Sequence, residues 1–241
     1  MKSNHLSHTK NVKKALEFIN ILVDRPKSEM VGLGLIYGEP GLGKSRFAEV
    51  MSNQNDYVYF RFEASMTTKN FAIKLLTALH YHFQLPVTKM IGNTNEIVGR
   101  IMDLLKKHEN TVLVLEETDY IMESRKILGT IRDIVDETYT VVILVGMADA
   151  REKLLKADVY YFDRCNFFCE FKPLDNEDIH LICQEVCDVR IASPLVKFFA
   201  DKTKGNIRKL IKILYSIETI AKQENLKEIG VEHLAKLRIL K

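Results

Sequence analysis

Short apolar runs alternate with longer amphipathic segments along the first 170 residues of the chain. Runs rich in β-branched residues indicate strands, whereas apolar residues that recur every three or four positions indicate helices. Because the runs at 112–115 and 141–145 are apolar throughout, we expect a five-stranded parallel sheet between helices. The pattern predicts strands at 31–37, 57–62, 111–115, 140–145 and 166–171, and helices at 11–23, 44–53, 69–83, 94–108, 121–136 and 149–157.

The pattern becomes wholly helical after Pro173. Asp175 is a favourable N-cap, and each segment that follows has amphipathic helical spacing. These segments are 175–188, 194–203, 206–223 and 230–238. We therefore expect three parts, which are an N-terminal helical segment at 1–30, an α/β domain at 31–172 and a small all-α domain at 173–241. We expect no strand in the last of them.

The composition is typical of a folded cytoplasmic protein. Hydrophobic residues make up 46% of the 241 residues, which is enough for a sizeable core. No apolar run reaches the roughly 20 residues that a membrane-spanning helix needs, and the first residues lack a signal-peptide core. We therefore expect no membrane partner. The net charge of +3 hides a basic C-terminal part, because residues 197–241 carry +6, which suits a polyanionic partner.

The four cysteines are spaced as two CxxxC pairs, at Cys165, Cys169, Cys183 and Cys187. Such pairs raise the possibility of a zinc site, but structural zinc more often uses CxxC pairs in turns. The first pair lies in a predicted strand, and the second pair is one helical turn apart on an apolar helix face. Since free cysteine is a common core residue, we expect core packing rather than metal binding.

The segment GEPGLGKS at 38–45 matches the phosphate-loop pattern GxxxxGK followed by Ser or Thr, between a predicted strand and a predicted helix. Its glycines let consecutive backbone N–H groups face a phosphate at a helix N-terminus. Lys44 should reach the β- and γ-phosphates of ATP, and Ser45 should ligate Mg²⁺. The predicted nucleotide-binding residues of the loop are Gly38, Glu39, Pro40, Gly41, Leu42, Gly43, Lys44 and Ser45.

Two adjacent glutamates, Glu116 and Glu117, end the buried strand in VLVLEETDY. This strand should lie beside the strand that precedes the phosphate loop, so that its carboxyl end opens onto the γ-phosphate and the metal. We expect Glu116 to hold Mg²⁺ and Glu117 to polarise the attacking water. Most phosphate-loop ATPases have an aspartate where Glu116 stands, and glutamate is one methylene longer. We therefore expect ATP hydrolysis to be slow and to serve as a switch.

The helical part resembles the lid domain of AAA+ ATPases. In KGNIRKLIKIL a GxxR sequence opens a helix, so the resemblance implies that Arg208 is the sensor 2 arginine, which contacts the nucleotide. Arg164 precedes the last predicted strand, where AAA+ proteins carry an arginine finger that reaches the nucleotide of a neighbouring subunit. The sensor 1 position, usually polar, falls at Gly146 and Met147, which leaves that role unassigned.

A longer resemblance covers residues 10–225. The strings EETD, DRCNFFCEFKPLDNEDI and KGNIRKL, in this order, are similar to the B-type transposition ATPases of phage Mu and its relatives. That family implies ATP-dependent rings or helical filaments on double-stranded DNA, target selection and stimulation of a transposase. It also implies DNA contacts from loops, for which the candidates are Thr67, Thr68, Lys69, Thr88 and Lys89. The chain has no room for the helix-turn-helix domain of some relatives, so we expect DNA binding without sequence preference.

Two alternatives share the nucleotide motifs. An AAA+ replication initiator or helicase loader would carry the same phosphate loop and the same glutamates, but usually adds a DNA-reading or helicase-binding segment. A phosphate-loop kinase would need an acceptor pocket and a compact monomer. The adjacent glutamates, the candidate finger and the GNIR helix disfavour a kinase.

Overall fold

The computed structural model describes residues 1–2, 5–87, 91–157 and 163–233. A parallel five-stranded sheet forms its centre, in the order β2-β3-β4-β1-β5. The strands are β1 (Leu33–Gly38), β2 (Val58–Arg61), β3 (Val112–Glu116), β4 (Val141–Val145) and β5 (Cys165–Phe171). Helices α1 (Lys10–Val23), α2 (Lys44–Gln54), α3 (Thr68–His82), α4 (Thr94–Lys107), α5 (Arg125–Thr138) and α6 (Ala150–Ala157) alternate with the strands. The predicted fold class is confirmed.

The strand register explains why the apolar runs could be recognised. All five residues of β3 and all five of β4 are buried, because these strands lie inside the sheet with helices over both faces. Leu113 lies opposite Val142, and Glu116 lies opposite Val145. The carboxyl ends of β3 and β4 therefore meet at one edge of the sheet. The prediction that β3 lies beside the strand before the phosphate loop was wrong, because β4 lies between β3 and β1.

The chain divides into two compact units. The sheet unit contains residues 15–38 and 44–170, and the helical unit contains residues 1–14, 39–43 and those from Phe171 onward. The core of the sheet unit includes Phe62, Phe71 and Leu75, all fully buried.

In the helical unit, Phe199 and Leu210 pack with apolar residues of three helices. These are α7 (Asn176–Val186), α8 (Ser193–Thr203) and α9 (Ile207–Gln223). The prediction of no strand in this part was wrong, because β6 (Arg190–Ile191) pairs in parallel with β7 (Glu228–Ile229). Two-residue strands are too short to show a period-two pattern.

Two helix predictions differ from the structure. The helix predicted at 121–136 begins only at Arg125, because Ser124 caps it by accepting a hydrogen bond from the backbone N–H of Ile127. Residues Thr118–Tyr120 form a separate 3₁₀ turn. Within the segment predicted at 230–238, Val231–His233 form another 3₁₀ turn, and the remainder lies outside the described residues.

All four cysteines are buried, as expected of core residues. Cys183 and Cys187 lie in the core of the helical unit, where burial raises the pKa of the Cys183 thiol to about 12 and that of Cys187 to about 11. Both thiols are therefore neutral at physiological pH in the metal-free protein. Among the residues that the structure describes, no helix is both long enough and apolar enough to cross a membrane.

Candidate nucleotide-binding site

The predicted phosphate loop connects β1 to α2. Gly41 and Gly43 have φ angles of 83° and 93°, in the left-handed region that glycine adopts most easily. In the sheet unit, the side chain of Lys44 is buried and its Nζ donates a hydrogen bond to the carbonyl of Gly38, at 2.7 Å. The Ser45 residue is exposed. The ammonium group of Lys44 is thus held by a backbone oxygen at the end of β1.

Contacts inside the helical unit hold the middle of this loop. Asn206 caps α9 by accepting from the backbone N–H of Lys209, and its Nδ2 donates to the carbonyl of Pro40 at 3.0 Å. The backbone N–H of Arg208 donates to the carbonyl of Gly41 at 3.2 Å. A Cβ added at Gly41 would come within 2.5 Å of the Asn206 amide. The start of α9 and the loop are therefore fitted to each other through backbone groups.

Gly205 allows the turn that precedes α9. Its φ is 71°, and an added Cβ would lie 2.6 Å from the backbone nitrogen of Leu174. The side chain of Arg208 is exposed to solvent, and its backbone N–H bonds to the loop. The predicted contact between the Arg208 side chain and a nucleotide stays a prediction.

Glu116 is 2% exposed at the end of β3. One of its oxygens, Oε2, accepts a hydrogen bond from the phenol of Tyr59 on β2. The other oxygen, Oε1, is buried without a hydrogen-bond partner among the described residues. Burial and the Glu116 hydrogen bond raise the pKa of Tyr59, which therefore stays a neutral donor. Glu116 thus presents one held oxygen and one unsatisfied oxygen.

Glu117 differs from Glu116 in its backbone conformation and in the residue that binds its carboxylate. Its φ of 57° and ψ of 39° are left-handed, a conformation that costs a non-glycine residue roughly 1–2 kcal/mol. Arg61 Nη2 lies 2.9 Å from Glu117 Oε1, and Arg61 Nε lies 3.9 Å from Glu116 Oε2. Such backbone strain persists where the surroundings fix it, and it is frequent at functional sites. The partly exposed carboxylate can reach a water molecule.

Thr118 and Asp119 connect the end of β3 to the end of β4. Thr118 Oγ1 donates to the carbonyl of Val145 at 3.1 Å, and Asp119 Oδ2 accepts from the backbone N–H of Met147 at 2.8 Å. An added Cβ at Gly146 would lie 2.9 Å from Thr118 Oγ1. Burial raises the pKa of the Asp119 carboxyl. A polar side chain therefore does reach the end of β4, but it comes from residue 119.

Glu116 and Ser45 fit a divalent cation by their chemistry. Magnesium binds oxygen ligands and keeps several waters, and it is usually held by one or two carboxylates together with phosphate oxygens. Glu116 Oε1 is an acceptor that lacks a partner within the described parts of the chain, and Ser45 offers an exposed hydroxyl. Both residues belong to the sheet unit. These residues would hold Mg²⁺ together with the nucleotide.

Arg164 lies just before β5, in the sheet unit. Its Nε is 3.2 Å from Asp136 Oδ2, a residue in the last part of α5. The side chain of Arg164 is 37% exposed. The arginine is therefore accessible at the surface while it is paired within its own chain, and its role as a finger stays a prediction.

The DNA-contact candidates fall into two groups. Thr67 is the N-cap of α3, where its hydroxyl accepts from the backbone N–H of Asn70 at 3.2 Å, so it has a structural role. Thr68 begins α3, and Lys69 in its first turn is exposed. Thr88 and Lys89 lie outside the described residues.

Tyr59 and Arg61 were missed by the sequence analysis. They alternate with apolar residues in YVYFRF and thus lie on one face of β2. Tyr59 pairs in register with Val114, and Arg61 pairs with Glu116. The alternation in sequence is enough to predict that Tyr59 and Arg61 lie on one face of β2. Only the strand register shows that this face lies beside Glu116.

Comparisons with known proteins identify the family and related folds. The sequence matches the family described as AAA domain over residues 29–154, which is more than half of the chain. A comparison with curated proteins finds no sequence match.

Many solved structures share the fold, and three of them illustrate the similarity. The Aeropyrum pernix ORC2 protein in its ADP form is 14% identical with a TM-score of 0.71, over 98% of this chain and 70% of that one. The Aeropyrum pernix ORC1 protein in complex with DNA is 14% identical with a TM-score of 0.62, over 98% and 66%. Domain III of the Thermotoga maritima replication initiation protein DnaA is 16% identical with a TM-score of 0.59, over 98% and 93%.

Proposed function

The chain belongs to the AAA domain family, and we propose that it is an ATP-hydrolysing switch that acts on DNA. One observation carries this proposal. The phosphate loop follows β1, and β4 separates β1 from β3 in the sheet. Glu116 ends β3, and Glu117 and Asp119 follow it, so this edge of the sheet offers the groups that ATP hydrolysis requires.

The residues of the loop and of β3 divide the chemistry between them. Backbone N–H groups of the loop and the Lys44 ammonium bind the phosphates. Glu116 and Ser45 would hold Mg²⁺, which when bound neutralises phosphate charge. Glu117 accepts a proton from the attacking water, with Arg61 fixing the position of its carboxylate. Arg164 would add positive charge at the site of a second copy of the chain.

A basic surface in the helical unit supports a polyanionic partner. Residues 202–217 contain no acidic residue and five basic ones. All five side chains are exposed, and none forms an ion pair with another described residue. They are Lys202, Lys204, Arg208, Lys209 and Lys212. Unpaired cations of this density suit the phosphate backbone of double-stranded DNA, which carries no sequence information.

Two cellular roles follow from a DNA-bound AAA+ switch. The similarity to the B-type transposition ATPases supports target selection and stimulation of a transposase, with the protein assembled as a ring or filament on DNA. The second candidate is a replication initiator or helicase loader. That role is favoured by the fold shared with DnaA domain III and with ORC1, whose structure was solved in complex with DNA.

Nucleotide binding is tested at Lys44. Lys44→Ala should weaken ATP binding at least about 100-fold, because a charge-assisted contact to two phosphates is lost. Lys74→Ala is the matched control, since Lys74 is an exposed lysine that pairs with Glu63 on the surface. If Lys44→Ala and Lys74→Ala bind ATP equally well in equilibrium titrations, the assignment of the phosphate loop is wrong.

DNA binding is tested by its salt dependence. Lys209→Gln and Lys212→Gln should each reduce the slope of log affinity against log salt by about 0.9, on any DNA sequence. Lys106→Gln is the control, because Lys106 is exposed but lies 3.4 Å from Glu137. Tight binding to a single sequence without ATP would favour an initiator that reads DNA directly.

Self-association is tested by mixing variants. Arg164→Ala should bind ATP but assemble poorly, and Lys44→Ala should fail to bind ATP. If Arg164 acts on the nucleotide of a neighbouring copy, mixtures of the two should regain part of the ATPase activity that neither has alone. The composition of the mixed assemblies must be measured. If they contain both variants and no activity returns, Arg164 does not act on the nucleotide of a neighbouring copy, and its pair with Asp136 is structural.

A further inference from the structure

We propose that Tyr59 is a positioning residue that adapts this site to a glutamate at position 116, by holding one carboxylate oxygen so that the other is left for Mg²⁺. This inference rests on the proposed function, because it assumes that Glu116 serves a nucleotide-bound cation. It explains how the strand can end in glutamate where aspartate is usual.

The register of β2 and β3 brings the phenol to the carboxylate. Tyr59 pairs with Val114, two residues before Glu116, so the two side chains are diagonal neighbours on the same face of the sheet. The phenol donates to Glu116 Oε2. The remaining oxygen, Oε1, is buried and has no partner in the described structure. One carboxylate oxygen is therefore fixed by a hydrogen bond, and the other is available to bind a metal. Hydrogen bonds of this kind orient carboxylates that bind metals.

The neutral charge of the donor matters. Arg61 lies directly opposite Glu116 in register, yet its close contact is with Glu117, at 2.9 Å, and its Nε is 3.9 Å from Glu116. A guanidinium bonded to Glu116 would compete with a cation for the same negative charge. A phenol fixes the carboxylate without adding a positive charge of its own, so the charge of Glu116 is offset only by the longer contact with Arg61.

The extra methylene of glutamate makes such a support necessary. Glutamate has one more rotatable bond than aspartate, and fixing that bond on metal binding costs conformational entropy. A hydrogen bond from Tyr59 that is already present in the metal-free protein removes most of this cost beforehand. An aspartate at position 116 is shorter by one methylene, so it should neither reach the phenol in the same way nor need it.

A double-mutant cycle tests the inference. The parent, Tyr59→Phe, Glu116→Asp and the double variant are titrated with Mg²⁺ while a fluorescent ATP analogue reports binding. Tyr59→Phe should raise the Mg²⁺ concentration for half-maximal binding by about 10-fold, the lower end of the range for residues that support metal ligands. In the Glu116→Asp background the same substitution should change it by less than about 2-fold, because the shorter side chain does not reach the phenol in the same way. Binding measured with EDTA should be unchanged throughout.

Tyr57→Phe is the matched control, because Tyr57 is a half-buried tyrosine just before β2 with no side-chain bond to either glutamate. It should leave the Mg²⁺ requirement unchanged. Thermal unfolding without Mg²⁺ or nucleotide provides a metal-free readout, in which Tyr59→Phe should lower Tm more than Tyr57→Phe does. This measurement also establishes that each variant is folded.

The outcomes separate this inference from the proposed function. If the parent binds the analogue and Lys44→Ala does not, but Tyr59→Phe behaves like Tyr57→Phe, the positioning role of Tyr59 is overturned and the nucleotide site stands. Equal effects of Tyr59→Phe in both backgrounds would also overturn it, because they would show a packing role independent of Glu116. If neither the parent nor Lys44→Ala binds the analogue, the proposed function and this inference both fail.

Discussion

The phosphate loop and the end of β3 are fixed by different kinds of contact. In the loop the partners are backbone groups, namely the carbonyls of Gly38, Pro40 and Gly41. At the end of β3 both glutamates are held by side chains, Glu116 by Tyr59 and Glu117 by Arg61. A contact to the backbone of the loop requires particular φ and ψ angles, and at the loop glycines it also requires that no Cβ is present. A contact between two side chains can be kept when one side chain becomes longer, because the other can change its position.

This difference explains where the sequence departs from the usual pattern. The loop matches its motif at every required position, because a left-handed glycine has few substitutes. The strand end carries Glu116 in place of the usual aspartate, and a neighbouring phenol holds the longer side chain. We expect substitutions of the side chains at the end of β3 to change chemistry while the fold persists, and substitutions of glycines that have positive φ angles to change stability.

The largest expected effect is at Glu117. Glu117→Gln keeps the shape of the side chain and an oxygen for Arg61, but removes the basic group, so ATP hydrolysis should fall by roughly 10² to 10⁴. ATP binding should be nearly unchanged. Steady-state phosphate release measures the rate, and Glu123→Gln, at an exposed position nearby, is the control. A parental rate in Glu117→Gln beside an inactive Glu116→Gln would reverse the roles assigned to the two glutamates.

A smaller effect is expected at Gly205, whose positive φ angle allows the turn before α9. Gly205→Ala should lower the free energy of unfolding by roughly 2–4 kcal/mol, because φ is positive and the new Cβ would clash with the backbone of Leu174. Urea denaturation measures the change. Gly99→Ala is the matched control, since Gly99 lies within α4 with open space around it, and it should stabilise by about 0.5–1 kcal/mol. Equal values for both variants would contradict the backbone argument.

The smallest effect is expected at Asn206, which has two separable contacts. Asn206→Ala should destabilise by about 1 kcal/mol through loss of the N-cap, and Asn93→Ala at the start of α4 should do the same. Asn206→Asp keeps the cap but loses the donor to Pro40, so ATP affinity should fall about 2- to 10-fold with little loss of stability. If Asn93→Ala weakens ATP binding as much as Asn206→Asp does, the contact with Pro40 is irrelevant to the nucleotide.

Much of the fold could be predicted because its evidence is local. The apolar runs of β3 and β4 are contiguous in sequence, and the phosphate loop is a contiguous motif. Contacts that depend on strand register, or that join segments far apart in the chain, cannot be recognised from a contiguous stretch of sequence. Tyr59 contacts Glu116 across 57 positions, and Asn206 contacts Pro40 across 166.

The end of β4 shows why one site position was missed. In the sequence, the usually polar position after β4 falls at Gly146 and Met147, which leaves the role unassigned. The structure instead supplies Asp119, from the turn after β3, because the small glycine leaves room for Thr118 and Asp119 to cross between the strands. A search along one strand cannot find a side chain that arrives from its neighbour.

The contact between the loop and α9 also sets an order of events during protein synthesis. Residues of the sheet core leave the ribosome well before α9, and domains generally fold as they emerge. The hydrogen bonds from Asn206 and Arg208 to Pro40 and Gly41 can form only after about two-thirds of the chain has followed the loop. A nascent chain would thus carry the lysine and both glutamates before its loop is secured. ATP capture, and any assembly that depends on it, would therefore be delayed until α9 has been made.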